Sequence, residues 1–347
     1  MSNYLDLDGI EFVEFASPKP EALEKLFLEF GFSKTKKHKT KDISYFWQND
    51  IHFLLNNEPT TMAEKFYKAH GPSVCAMGWR VKDAKSALKT AVERGAKECK
   101  TGDYLDVDGK PVPAIWGIGN SVIYLIENYS DNKRLYENLG FAAEKNPIHV
   151  KSKGFLLIDH LTNNVEKGEM KGLSDFYKNV FGFTEVRYFD IRGVKTGLTS
   201  FALKSPCGKF CIPINEGTET KSQINEYLRE YKGPGVQHIA FLTEDILDSL
   251  KNLEGSSIET LDIDDQYYQE VFNRVPNVTE DHGEIQKRNV LVDGDEEGYL
   301  LQIFTKNIVG PIFVEIIQRK NHYSFGEGNF GALFRAIERD QEKRGVL

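Results

Sequence analysis

At 347 residues the chain is too long for one ordinary hydrophobic core and suits two domains. Its 40% apolar, 12% aromatic and 28% charged residues describe a globular protein, not a disordered one. A formal net charge of −8 and the lack of a basic stripe argue against a nucleic-acid partner, because an acidic surface repels phosphate. Four cysteines, Cys75, Cys99, Cys207 and Cys211, are too few and too scattered for a disulfide framework. Cys207 and Cys211 have no second pair beside them, and SPCGKFC reads as a turn between strands, not as a metal site. The opening MSNYLDLDG lacks the basic-then-apolar pattern of a signal peptide, and no apolar run is long enough to span a bilayer. The expectation is a cytoplasmic protein with no membrane partner.

In chain order, GIEFVEFASPKPEALEKLFLEFGF near residue 10 predicts a short apolar strand, a polar bend and an amphipathic helix closed by Gly31. The lysines of KTKKHKTK (34–41) read as a solvated loop, and 43–55 as strand-rich. From Gly71, GPSVCAMGWRVKDAKSALKTAVERGA predicts a strand and then a helix started by an Asp. A strand-rich stretch, 114–126, follows. Polar residues 130–153 separate two halves, with a short helix expected over 133–141. The pattern then returns. LIDHLTNNVEKGEMKGLSDFYKNVFGF near residue 158 matches the first segment, with Gly182 in the place of Gly31. GPGVQHIAFLTEDILDSLKNLEG from Gly233 matches the second, and strand-rich stretches at 196–214 and 290–317 follow the two helices.

The unit is therefore one strand, one helix and about three strands, used four times. Two domains are expected, 1–150 without a metal and 151–347 carrying the chemistry. A βαβββ unit exposes an apolar sheet face, and two units side by side curl into an open barrel able to hold a ligand. The expected class is α+β with two such barrels, an arrangement that resembles the vicinal oxygen chelate (glyoxalase-like) fold.

Superimposing the repeats provides an internal control. His160 aligns with Phe12 and His238 with Ala76, so both histidines are confined to the C-terminal half. Glu315 lies in the apolar strand PIFVEIIQ, where its counterpart is Tyr124 or Leu125. A carboxylate among Ile, Val and Phe is costly unless paired. Each residue alone has a plainer reading: a buried histidine is usually hydrogen-bonded core, and Glu315 could pair with an arginine such as Arg319. Together, at matching strands of a repeat, they point to a metal. Two imidazoles and one carboxylate suit ferrous iron with open positions, whereas zinc is more often tetrahedral. Alternation along strands places Phe313 and Ile317 on the face of Glu315, Gln302 with Phe304, and Pro213 with Asn215.

The stretches GLTSFAL, PINEGT, KSQINEYL, GPGVQHIAF, GYLLQIFTK, FVEIIQR and SFGEGNFGALF resemble, in order and spacing, the 4-hydroxyphenylpyruvate dioxygenase family. The resemblance implies that His160, His238 and Glu315 bind one Fe(II). It implies a substrate pocket lined by Ser200, Asn215, Gln223, Gln237 and Gln302, with Pro213, Phe304, Phe313, Phe325 and Phe330 as apolar walls. Asn215, Gln237 and Gln302 would act in catalysis, and a helix beginning near Asn329 would form a lid. Gln237 neighbours His238, so both can face the pocket only if the strand bulges there. Glu327 stands where family members often carry lysine.

The implied chemistry converts 4-hydroxyphenylpyruvate and O2 to homogentisate and CO2, a step of tyrosine and phenylalanine catabolism. No separate α-ketoglutarate is needed, because the substrate carries its own keto acid. A homo-oligomer is the family expectation. Three rivals share the fold: a hydroxymandelate synthase, a ring-cleaving extradiol dioxygenase, and a non-catalytic protein that binds an aromatic ligand.

Overall fold

The computed structural model describes residues 2–347. The first half runs β1 (Leu7–Ala16), α1 (Pro20–Glu29), β2 (Ser33–His38), β3 (Ile43–Gln48), β4 (Ile51–Asn56), α2 (Met62–His70), β5 (Ser73–Val81), α3 (Ala84–Glu93), β6 (Ala114–Trp116), β7 (Val122–Ile126), α4 (Asn132–Asn138) and β8 (Phe141–Ile148). The second runs β9 (Phe155–Val165), α5 (Met170–Phe181), β10 (Thr184–Arg192), β11 (Gly197–Lys204), β12 (Cys211–Gly217), α6 (Gln223–Tyr231) and β13 (Gly235–Thr243). It continues with α7 (Ile246–Leu253), α8 (Asp265–Arg274), α9 (His282–Lys287), β14 (Leu291–Gly294), β15 (Tyr299–Phe304), β16 (Phe313–Lys320) and α10 (Phe330–Lys343).

The strands form two eight-stranded sheets, ordered β6-β7-β5-β1-β4-β3-β2-β8 and β10-β11-β12-β9-β13-β16-β15-β14. In each, the opening strands of two units pair antiparallel, β1 with β5 and β9 with β13. Each opening strand also runs parallel to the last strand of its own unit, as β13 does to β16. The fold is thus α+β, two curled sheets with interspersed helices and a C-terminal helix. Local signals act as expected: Gly31 and Gly182 take positive φ (86° and 88°) where their helices end, and Asp83 and Asp245 cap the helices after them.

Two expectations change. The lysine run is partly strand, with β2 held between β3 and β8. Its cations are occupied, Lys34 by Glu24, Lys37 by Asp42 and Lys36 over the Tyr45 ring. Residues 141–148 are also not a loop, because β8 crosses to the far edge of the sheet and pairs with β2. The second N-terminal unit has only two strands after its helix, so three of the four units keep the full pattern.

The halves bury equivalent aromatic side chains against each other. Trp79 on β5 packs 4.7 Å from Phe181 and 5.4 Å from Phe210. Its repeat counterpart, Phe241 on β13, packs 5.9 Å from Phe30, 5.8 Å from Phe32 and 5.2 Å from Phe155. Phe241→Ala would leave a void between two rigid sheets. The expected cost is about 3–5 kcal/mol, read from urea unfolding.

At the positions equivalent to the three candidate ligands the N-terminal barrel carries Phe12, Ala76 and Tyr124. All three are buried together with Tyr45, Tyr104 and Phe141, and they plug the interior. Among them Glu14 accepts hydrogen bonds from Asn56 (2.7 Å) and Tyr104 (2.8 Å). Burial outweighs those bonds and pushes its carboxyl up to about 7. The folded state therefore holds this proton more tightly than the unfolded one, so stability falls as pH rises from about 4.5 through 7. Glu14→Gln should melt higher than wild type at pH 8, by about 3 kcal/mol at most, and much like it at pH 5. Thermal melts at the two pH values test this; parallel curves would refute it.

Candidate metal centre and substrate cavity

Register places the three candidate ligands side by side. On β9 and β13, His160 faces Ala240 and His238 faces Thr162; on β16, Phe313 lies beside His238 and Glu315 beside Ala240. The same pairings in the first sheet join Phe12 to Gly78, Glu14 to Ala76 and Gly78 to Tyr124. Tyr124, not Leu125, is therefore the counterpart of Glu315.

Nε2 of His160 lies 3.1 Å from Oε2 of Glu315, Nε2 of His238 lies 3.4 Å from the same oxygen, and the two nitrogens are 3.4 Å apart. All three residues are buried. The other ring nitrogens decide the tautomers. Nδ1 of His160 donates to Asp159 Oδ2 at 2.8 Å, and Nδ1 of His238 donates to Gln237 Oε1 at 3.0 Å. With both protons on Nδ1, each Nε2 turns a lone pair toward a carboxylate oxygen. The Thr162 hydroxyl, 3.0 Å from Nε2 of His238, is the only neighbouring donor to that nitrogen among the described residues. Three convergent acceptors fit a cation. Among the described residues they are also the one group of three or more histidine, cysteine or acidic side chains able to share an ion.

Without a metal, one proton must do that work. Burial opposes charge on His160, but Glu315 and Asp159 together push its pKa up to about 9. Burial likewise opposes charge on Glu315, which His160 and then His238 hold down to about 2. Burial lowers the pKa of His238, whose imidazole stays neutral. Arg319 is not the partner of Glu315; it grips Asp159.

The triangle forms one wall of a cavity of about 90 Å³. Every residue that the resemblance implied at the site borders it: Ser200, Pro213, Asn215, Gln223, Gln237, Gln302, Phe304, Phe313, Phe325 and Phe330, together with the three ligands. Ile317 does not. The bulge that Gln237 needs is present as a register shift between Val236 and His238. Ser200 and Asn215 are cross-strand neighbours on β11 and β12. Phe313 stacks on His238 with ring centres 4.8 Å apart. Gln302 bridges the site and the cover, its amide nitrogen 3.4 Å from Glu315 Oε1 and its amide oxygen 3.2 Å from Asn329 Nδ2.

Sequence reasoning missed Thr162, Phe189, Ile191, Leu198 and the helix residues Leu333, Phe334 and Ile337. The helix set was readable, since 330, 333, 334 and 337 repeat at helical spacing. Phe189 gave no signal; it lies on the edge strand β10 and reaches the cavity through ring contacts with Phe325 (6.2 Å) and Phe330 (5.2 Å).

The chain is similar to known proteins over nearly its whole length. Residues 1–141 match the model of the N-terminal domain of hydroxyphenylpyruvate dioxygenase, and 157–300 match the glyoxalase, bleomycin resistance protein and dioxygenase superfamily. The chain is 58% identical to protein MelA of Shewanella colwelliana, over 99% of both chains. It is 44% identical to the 4-hydroxyphenylpyruvate dioxygenase of Pseudomonas aeruginosa, over 99% of this chain and 97% of that one. The chain belongs to the 4-hydroxyphenylpyruvate dioxygenase family. It is thus an enzyme, a dioxygenase of the vicinal oxygen chelate fold. A mutant 4-hydroxymandelate synthase of Streptomyces coelicolor superposes with a TM-score of 0.81 at 23% identity, covering 96% of this chain and 99% of that one, a likeness of fold. No helix among the described residues is long and apolar enough to cross a membrane.

Proposed function

We propose that the protein converts 4-hydroxyphenylpyruvate and O2 to homogentisate and CO2, using one Fe(II) held by His160, His238 and Glu315, as a step of tyrosine catabolism. The observation that carries the reading is the triangle of three lone-pair donors set in the wall of a cavity lined by six phenylalanines. Iron bound there would supply the positions at which a keto acid chelates and oxygen is activated. The chain's own residues do the rest. Two neutral imidazoles and one carboxylate leave a divalent ion with net positive charge, which favours an anionic keto acid. Phe304, Phe313, Phe325 and Phe330 form an apolar slot for the ring and exclude water. Ser200, Asn215, Gln223 and Gln237 offer hydrogen bonds to the ring hydroxyl and to the migrating side chain. Gln302, beside Glu315, positions the keto-acid end.

Product identification tests this directly. Protein supplied with Fe(II), ascorbate, oxygen and 4-hydroxyphenylpyruvate should yield homogentisate by chromatography and mass spectrometry. Hydroxymandelate would keep the iron and the substrate but overturn the roles given to the pocket walls.

A further inference from the structure

Two residues outside the ligand triangle, Asp159 and Arg319, form a continuous link from a metal ligand to the cover of the cavity. Asp159 Oδ2 accepts the Nδ1 proton of His160 at 2.8 Å. Arg319 grips that carboxylate fork to fork, Nε to Oδ1 and Nη2 to Oδ2, both at 2.8 Å. Its remaining nitrogen, Nη1, turns the other way and donates to the main-chain oxygens of Ser324 (2.7 Å) and His322 (3.1 Å). That turn leads directly into Phe325, whose ring stands 5.9 Å from His160, and into Gly326, which abuts Gln302. Both side chains are largely withdrawn from solvent, 14% exposed for Asp159 and 12% for Arg319. No other lysine or arginine among the described residues pairs with Asp159.

We propose that Arg319 is a positioning residue acting in two directions: through Asp159 it fixes the ring of His160 toward the metal, and through the carbonyls of His322 and Ser324 it fixes where the covering segment meets the cavity. The inference rests on the reading of His160 as a metal ligand. Its first arm follows from tautomer control. A carboxylate on Nδ1 keeps the lone pair on Nε2, and carboxylates in this position commonly contribute about 10–100-fold to metal affinity. Its second arm follows from shape. A guanidinium presents nitrogens on two sides, so one planar group reaches a carboxylate and two carbonyls at once, whereas an ammonium is a point charge that holds one partner well. Metal binding and closure of the cover are therefore coupled through one side chain.

Three variants separate the arms: Asp159→Asn, Arg319→Lys, and the double variant Asp159→Asn with Arg319→Gln, which removes both buried charges together and so leaves neither unpaired. Metal-free proteins would be titrated with Co(II). Amide hydrogen exchange over residues 322–330 and steady-state kinetics with 4-hydroxyphenylpyruvate would be measured beside it. Asp159→Asn should bind Co(II) about 10–100-fold more weakly, because a neutral amide replaces the carboxylate and its single oxygen cannot serve both His160 Nδ1 and the Arg319 fork. Arg319→Lys should keep Co(II) affinity near wild type but show faster exchange over 322–330 and a raised KM. The double variant should show both losses. A pair that merely supports the fold would lower the metal-free melting temperature and leave Co(II) affinity, local exchange and KM unmoved in the folded protein. That result would overturn the proposal. If wild type binds Co(II) and the folded variants bind as tightly, this inference falls while the metal reading stands. If wild type takes up no Co(II), the metal reading itself falls and takes this inference with it.

Discussion

Glu315→Gln should fold, bind no iron after desalting, and lose turnover by well over the ~100-fold typical of a lost supporting residue. The reason is the charge balance of the triangle. Glu315 is its only anion, and Oε2 faces both imidazole Nε2 atoms, at 3.1 and 3.4 Å. A glutamine of the same shape would turn an amide N–H toward those lone pairs and satisfy them in place of a cation. Glutamine also removes the His160–Glu315 ion pair that stabilises the metal-free fold, so the metal-free variant should melt lower than metal-free wild type at neutral pH, and wild type alone should gain stability when Fe(II) or Co(II) is added. Metal content by atomic emission and oxygen uptake by electrode are the two measurements. A variant that retained one iron per chain would remove Glu315 from the ligand set.

Gly326→Ala should cut kcat/KM by roughly 100-fold while leaving metal content unchanged. Gly326 adopts φ +76°, and a Cβ there would stand 1.8 Å from Gln302 Oε1. Left-handed backbone costs a non-glycine residue about 1–2 kcal/mol, a penalty the fold can absorb. The collision cannot be absorbed without moving Gln302 or lifting the segment that carries Phe325 and Asn329. Gly345→Ala is the matching control, since Gly345 has φ +73° but its added methyl would meet nothing within 4 Å. Equal activity in the two variants would show that the contact with Gln302 does not control the rate.

Much of this site could be read from the repeat. Phe12, Ala76 and Tyr124 mark places where a barrel needs only filling, so His160, His238 and Glu315 stand out as departures from a filled core. Strand alternation correctly grouped Pro213 with Asn215 and Gln302 with Phe304, because those strands are regular. It failed at Gln237, where an extra residue in β13 lets two neighbours face one cavity, and only the resemblance flagged that residue. It also gave no hint of β8, whose partner β2 lies more than a hundred residues earlier and whose outward side chains are polar. The Asp159–Arg319 pair was equally hidden. Adjacent residues on a strand normally diverge, and nothing local indicates that Asp159 bends back to its neighbour's ring or that Arg319 prefers it to Glu315.

The exchange of Trp79 and Phe241 between the halves has a thermodynamic consequence. Each sheet completes its core with a side chain from the other, and one continuous cluster runs through both. Part of each half's interior is then shared with the other, so the two should denature together in a single transition instead of in sequence. An ion captured by the C-terminal sheet would accordingly slow hydrogen exchange throughout the N-terminal sheet as well.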